Sequence, residues 1–347
     1  MKSSEHFMLR CFELAQSGLG NVAPNPLVGA LLVHNGKIIG EGFHQEIGKA
    51  HAEINAINDA EKKYPQLISE SELYVNLEPC SHFGKTPPCT DFIITKGLKK
   101  VFISNTDSNP LVAGKGIKKL RSAGIEVIEN LLSIEGRNLN KRFFSFHEKK
   151  RPFIILKWAQ TADGFIAPES KNKIQITGEL SQQQVHKWRS EEQSILVGKN
   201  TVLSDNPQLN VRLWRGKNPI RLIIDSKLSI PKNLKIFNNE TPTIIFNSIK
   251  TAEQKNITWV KLDFTSSILK QLLSYLYSKN IQSILVEGGS LTLQKFINEN
   301  LWDEAKIFTS TKKLIQGINA PIIFREDLKS ELLSIADDNL KIIYNYH

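Results

Sequence analysis

Apolar positions along the 347-residue chain recur with two alternating periods. Met8, Cys11, Phe12 and Ala15 follow the i, i+3, i+4, i+7 spacing of one helix face, which predicts an amphipathic helix over about residues 4–17 with Cys11 as a core thiol. Leu27–Val33 is a continuous apolar run and predicts a buried strand, and Asn35-Gly36 then supplies a tight hairpin turn into Lys37–Gly40. A helix from His51 to about Lys63 is followed by a strand, Leu73–Leu77, and a helix opening at Pro88-Cys89-Thr90. The strand Val101–Ser104, the helix Gly116–Ala123 and the strand Ile125–Ile128 complete the pattern. Alternation of this kind predicts an α/β layer with a partly parallel sheet.

The charged segment Phe146–Pro152 reads as a boundary, so domains are expected over 1–147 and 151–347. Beyond it, strands are predicted at Phe153–Lys157, Ile195–Val197, Arg221–Asp225, Thr243–Phe246, Thr258–Leu262, Ile284–Glu287, Lys306–Thr309 and Lys341–Tyr346. Helices are predicted at Ser181–Ser190, at about residues 266–279 and from Ser290 to about Glu299. The halves share no repeated motif, so the chain reads as a fusion of unlike domains.

No apolar run reaches the ~18–20 residues of a membrane span, and Glu5, Arg10 and Glu13 interrupt any signal-like segment. A cytoplasmic protein is expected. The net charge of +10 raises the question of nucleic acid, but the lysines are scattered, their clusters are short, and no aromatic stripe interleaves with them. Neither a nucleic acid nor a membrane is therefore expected as partner. A general basic field would also attract a small phosphorylated substrate.

Three cysteines make no disulfide framework, and with Cys11 in the core, Cys80 and Cys89 are left with a chemical task. His51, Cys80 and Cys89 provide the three protein ligands of a catalytic zinc site, leaving a position for water. Glu53, two residues after the histidine, can move protons between that water, a ring nitrogen and a leaving amine. His82 is an alternative ligand. A closed structural zinc site is an alternative reading, though it lacks a fourth protein ligand and leaves Glu53 idle. Eight residues separate the cysteines, where the common deaminase signature has two.

The run Asn25-Pro26-x-Val28-Gly29, His44, His51-Ala52-Glu53 and Glu78-Pro79-Cys80-Ser81-His82-x-Gly84-Lys85-Thr86-Pro87-Pro88-Cys89 resembles the bifunctional deaminase–reductases of riboflavin biosynthesis. Asp107-x-Asn109-Pro110-x-Val112-Ala113-Gly114-x-Gly116 continues the likeness, with Lys85 standing where the family commonly has arginine. The second half matches too, through Lys157-x-Ala159-x-Thr161-x-Asp163-Gly164, the segment Val197 to Arg212, and Glu287-Gly288-Gly289-Ser290. On its own a Gly-Gly between strand and helix is equally a plain turn.

The resemblance implies an N-terminal cytidine-deaminase-like three-layer α/β domain and a C-terminal dihydrofolate-reductase-like domain. It implies hydrolytic removal of an amino group from a diaminopyrimidinone bearing a phosphoribosylamino group, then NADPH-dependent reduction of the ribosyl group to ribityl. By that likeness zinc would sit on His51, Cys80 and Cys89, Glu53 would be the proton shuttle, and Asn25 would lie near the pyrimidine; a turn between two prolines explains Asn25 equally well. NADPH would lie along Ala159, Gln175, Thr201, Asp205, Ser226 and the segment Gly289, Ser290, Leu291, Thr292, Leu293, Gln294 and Lys295. Lys173, Arg189, Leu209, Arg212 and Glu287 would meet the substrate, and Lys157 would polarise or orient the sugar, unless it is a solvated strand-end lysine. Gln175 and Lys173 depart from the family pattern, which commonly has tryptophan and a small residue there. A homo-oligomer is expected. The rivals are an RNA or nucleoside deaminase with an unrelated second domain, and a zinc-stabilised nucleotide-binding protein.

Overall fold

The computed structural model describes residues 3–83, 87–110, 112–169, 174–325 and 327–345. Lys173, Lys85 and the rest of residues 84–86 lie outside them. The chain separates into two compact units, Met1–Lys149 and Lys150–His347.

The first unit runs α1 (Ser3–Gln16), β1 (Gly29–His34), β2 (Lys37–Phe43), α2 (Ala52–Lys63), β3 (Glu72–Leu77), α3 (Cys89–Thr95), β4 (Lys100–Asn105), α4 (Lys115–Ser122), β5 (Glu126–Ile128), α5 (Ser133–Leu139) and α6 (Lys141–Lys149). Its sheet has the order β2-β1-β3-β4-β5, antiparallel on the β1 side and parallel from β3 to β5. α1 packs the predicted face: Met8, Cys11, Phe12 and Ala15 are buried, and the Cys11 thiol donates to the Tyr74 carbonyl at 3.5 Å. The opposite face of the sheet receives α2 through Ala52, Ala56, Ile57 and Ala60. That approach needs bare backbone on β2, since a Cβ at Gly42 would lie 2.3 Å from the Ala56 nitrogen and one at Gly40 2.3 Å from its oxygen. The segment expected as the boundary, Phe146–Pro152, spans the division after Lys149, and its first four residues close α6. α6 continues to Lys149 because Phe143, Phe144 and Phe146 bury one side of it while its charges stay outside.

The second unit runs β6 (Phe153–Gln160), β7 (Phe165–Ala167), α7 (Glu179–Glu191), β8 (Ser194–Gly198), α8 (Lys199–Asp205), β9 (Ile220–Ile224), β10 (Thr243–Asn247), β11 (Ala252–Gln254), β12 (Ile257–Lys261), α9 (Ile268–Ser278), β13 (Ser283–Gly288), α10 (Ser290–Asn298), β14 (Glu304–Thr309), β15 (Ile318–Asn319), β16 (Ser330–Ile335) and β17 (Asp338–Tyr344). Ten strands form one sheet, β11-β12-β10-β9-β8-β13-β6-β14-β17-β16, parallel through its centre from β12 to β14. Its central strands are covered on both faces, which explains their near-continuous apolar runs. On β6, Ile154 and Leu156 face the cluster that includes Leu269, Leu272 and Phe296, while Phe153 and Ile155 face Val185 and Trp188 of α7. The period of two then places Lys157 on the α7 face, and on β13 it places Glu287 there beyond Leu285. Among the described residues no helix is long and apolar enough to cross a membrane.

Candidate functional sites

In the first unit the parallel strands β3 and β4 end side by side, and the N-termini of α2 and α3 open toward that edge. His51 is the N-cap of α2, and its side chain makes no capping bond. The ring is therefore available at the helix start. Cys80 follows β3, and Cys89 is the first residue of α3, where the dipole favours a thiolate. The Cys89 amide donates to the Cys80 sulfur at 3.4 Å. His51 Nδ1 lies 3.6 Å from Cys80 Sγ and 3.3 Å from Cys89 Sγ. A tetrahedral zinc bound to nitrogen and sulfur spaces such donors about 3.5 Å apart. These three residues are the one such ligand group among the described residues, and His82 is not part of it. Hydrogen bonding from Cys89, ahead of His51, pulls the Cys80 thiol well below its ordinary value. A metal stabilises both sulfurs as thiolates.

Glu53, in the first turn of α2, is 3 % exposed, and its Oε2 has no hydrogen-bond partner. Burial raises its carboxyl to about 7, against the opposing pull of His51. It is a protonatable group held dry beside the His51–Cys80–Cys89 group. Asn25 lies near the same histidine: its Nδ2 donates to His44 Nε2 at 3.0 Å, and the His44 ring sits 5.2 Å from that of His51. His44 Nδ1 is 3.3 Å from the Ala50 carbonyl, which assigns the proton to Nδ1. Asn76 and Asn140, unmarked by any sequence reading, hold Leu27 and so fix the Asn25 segment. Asn140 Oδ1 accepts from the Leu27 amide at 2.8 Å, and the Leu27 carbonyl accepts from both asparagines at 2.9 Å. Glu78 is a second clamp, its buried carboxylate accepting the amides of Asp107, Gly114, Gly116 and Ile117 at 2.8–3.2 Å. It joins the strand end that carries Cys80 to the loop after β4.

Cys89→Ser is expected to weaken zinc binding by about 100-fold or more, since losing even an outer-shell partner costs 10–100-fold. Metal analysis of the dialysed protein checks this, with wild-type zinc content as the contrary result.

In the second unit, one turn of α7 faces the ends of β6 and β13. Arg189 forms a two-point ion pair with Glu287, Nε and Nη2 each 2.7 Å from a carboxylate oxygen. Both side chains are nearly buried. Burial alone would raise the Glu287 carboxyl, but Arg189, with Lys157 and His186 behind it, holds it at about 2. Lys157 is half-buried, and its amine is lowered by burial, with Glu287 opposing. Arg212 is lowered by burial and by the neighbouring Arg189. Leu209 is 2 % exposed and adopts φ 51°. His186, missed in the sequence, completes the group: it is 3 % exposed, and its Nδ1 accepts the Arg212 amide at 3.1 Å. A lone histidine inside an amphipathic helix carries no sequence signal that separates it from an ordinary core position.

The glycine turn after β13 meets the turn after β8. Gly288 has φ 132°, a conformation that glycine adopts without penalty. A Cβ on Gly289 would come within 3.1 Å of Thr201 Oγ1, and one on Gly198 within 2.7 Å of Thr292 Oγ1. Two helix starts thus converge on a cradle of bare backbone and hydroxyls, which suits a phosphate-bearing dinucleotide. Ser290 Oγ donates to the Asn319 carbonyl, Gln294 exchanges bonds with Ile322, and Leu293 is core. Leu291 and Lys295 are exposed on α10, while Ser226 follows β9 and receives Ser248 through its carbonyl. Ala159 lies late on β6 against the α7 cluster. Asp205, the exposed end of α8, accepts from Ser204, and the Gln175 carbonyl accepts from Lys312.

Residues 1–105 match the cytidine and deoxycytidylate deaminase zinc-binding region, and residues 152–338 match the RibD C-terminal domain. The riboflavin biosynthesis protein RibD of Aquifex aeolicus is 40% identical over 91% of this chain and 89% of its own. That of Bacillus amyloliquefaciens is 40% identical over 91% of this chain and 86% of its own. This chain belongs to the RibD family. It is a bifunctional deaminase–reductase of riboflavin biosynthesis, with a zinc-binding deaminase region and a reductase region. The crystal structure of the Thermotoga maritima diaminohydroxyphosphoribosylaminopyrimidine deaminase/5-amino-6-(5-phosphoribosylamino)uracil reductase superposes with a TM-score of 0.90 at 40% identity, covering 99% of this chain and 98% of that one. A RibD structure from Acinetobacter baumannii gives 0.89 at 30% identity over 100% and 99%.

Proposed function

We propose that the first unit deaminates 2,5-diamino-6-(5-phosphoribosylamino)pyrimidin-4(3H)-one to 5-amino-6-(5-phosphoribosylamino)uracil, and that the second reduces the ribosyl group of that product to ribityl with NADPH. The carrying observation is the buried Glu53 carboxyl beside a His51–Cys80–Cys89 group at zinc spacing. Zinc on those ligands supplies the acidity that activates water for attack on the ring. Glu53 takes one proton from the attacking water at Oε2 and gives it to the ring nitrogen, then carries the second, from the newly formed hydroxyl, to the amino group, which departs as ammonia. His44, with its proton on Nδ1, presents Asn25 at the edge of the site, where the amide can bond the pyrimidine.

In the second unit Arg212 offers the substrate phosphate an exposed planar fork, while Arg189, already neutralised by Glu287, lines the site and holds that carboxylate in place. Lys157 stands on the same face and orients the sugar. NADPH supplies the hydride, and Thr201, Gly289 and Thr292 form the cradle for its phosphates. Lys173 lies outside the described residues and stays an expected substrate contact, with Gln175 on the cofactor side. The two functions divide the chain near residues 147–151.

Two half-reactions test this reading: ammonia release from the diaminopyrimidinone, then loss of NADPH absorbance on adding its product. Turnover of cytidine or RNA with none of the phosphoribosyl pyrimidine would overturn it. Arg212→Ala is expected to raise the reductase KM about 10–100-fold, the worth of one or two charged hydrogen bonds, with little change in kcat; an unchanged KM removes Arg212 from the site. A cytoplasmic location agrees with the need for Cys80 and Cys89 to stay reduced. Homo-oligomerisation has support in β16, an edge strand exposed on both faces that carries Leu332 and Leu333.

A further inference from the structure

We propose that His186 is a positioning residue of the reductase, which by accepting the Arg212 backbone N–H sets the segment that presents Arg212 to the substrate. This rests on the placement of Arg212 in the substrate site.

The segment from Leu209 to Arg212 belongs to no helix or strand, so its shape depends on individual anchors. Leu209 sinks into the apolar cluster of Val202 and Ile223. The Asn210 carbonyl accepts from Arg189 Nη1 at 3.2 Å, and the Val211 amide donates to Asn218 Oδ1 at 2.8 Å. The Arg212 amide goes to His186 Nδ1 at 3.1 Å. Two of the four anchors, His186 and Arg189, lie three residues apart on one face of α7, and Arg189 also holds Glu287. The helix therefore fixes the segment in register with the carboxylate on β13.

The bond requires a bare Nδ1, hence a neutral ring with its proton on Nε2. Burial, then the charges of Arg189 and Arg212, keep the ring neutral by lowering it to about 4. A protonated ring would lose the acceptor and stand as a third cation beside two arginines, so the neutral form is the one that makes the bond. Asparagine places an amide oxygen at the same δ position, whereas leucine offers similar bulk and no acceptor.

The test uses the full-length zinc-loaded chain, with reductase KM and kcat measured beside deaminase rate as a control on folding. His186→Leu is expected to raise the reductase KM about tenfold and leave kcat within about threefold, the signature of lost positioning for binding. His186→Asn is expected to return KM to within about threefold of wild type. A wild-type KM in His186→Leu, beside a raised KM in Arg212→Ala, overturns the proposal. So does an Asn variant as impaired as the Leu variant. An Arg212→Ala variant with unchanged KM brings the inference down through the placement of Arg212 instead. Should the Leu variant fail to fold, hydrogen exchange of the wild-type Arg212 amide decides: slow exchange supports the bond, and exchange at the rate of an open loop overturns it.

Discussion

Glu53→Gln is expected to lower the deaminase rate about a thousandfold, within the range that a positioned acid–base group contributes. The substitution is close to isosteric. It removes the titrating proton while keeping the shape of a side chain that is 3 % exposed. Because burial already favours the uncharged carboxyl, raising it to about 7, a neutral amide adds little desolvation cost and the fold should persist. Zinc content should stay at the wild-type level, since Glu53 is outside the ligand triad. The reductase half-reaction should continue. Ammonia release and metal analysis on the same preparation check all three. Normal turnover would remove Glu53 from proton transfer, and loss of zinc would instead make it part of metal retention.

Glu287→Leu is the second large effect. It leaves the Arg189 guanidinium, 12% exposed, without its two-point partner. Breaking one side of a buried pair costs about 3–5 kcal/mol, which should appear as a lowered transition of the second unit in calorimetry, together with loss of reduction. The wild-type pair also predicts a pH dependence. The Glu287 carboxyl is held near 2 in the folded chain, against an ordinary value of 4.5. Between these values the unfolded chain binds more protons than the folded one, so stability rises with pH through that window. The contribution, on the order of 3 kcal/mol at one pKa unit per 1.36 kcal/mol, is complete above about 4.5 and is lost as pH falls toward about 2. His186 adds an earlier loss of the same sign. Its ring is lowered from 6.5 to about 4, so the unfolded chain takes up that proton first on acidification. Denaturant midpoints from neutral to acidic pH should therefore decline in wild type, and the decline below about 4.5 should be shallower in Glu287→Leu. Equal slopes in both proteins would show that the pair does not hold the carboxylate.

The zinc group was legible before any fold because its chemistry is written in residue type and order. Few side chains ligate zinc, and strand ends and helix starts could be placed around His51, Cys80 and Cys89 from local pattern alone. Periodicity likewise gave α1 its buried face, since i, i+3, i+4 spacing is a property of one segment. Where packing rather than pattern decides, the sequence was silent. The start of the boundary segment, Phe146–Lys149, carries no sequence sign of being the end of α6, because its charges are evident in sequence and the surface that the phenylalanines of α6 cover is not. β16 was not expected, because a strand exposed on both faces has no alternation to betray it.

The same division runs through the sites. By itself the sequence singled out the groups proposed to carry the chemistry: a zinc triad, a carboxyl beside it, and an arginine for a phosphate. Only the tertiary structure decided which groups hold them in place. Asn140 reaches Leu27 across 113 residues, Arg189 reaches Glu287 across 98, and His186 reaches Arg212 across 26. These partners are ordinary residue types, and their roles arise from direction and burial. A hydrogen bond depends on angles and on the exclusion of water, and the order of residues encodes neither until the chain has closed on itself.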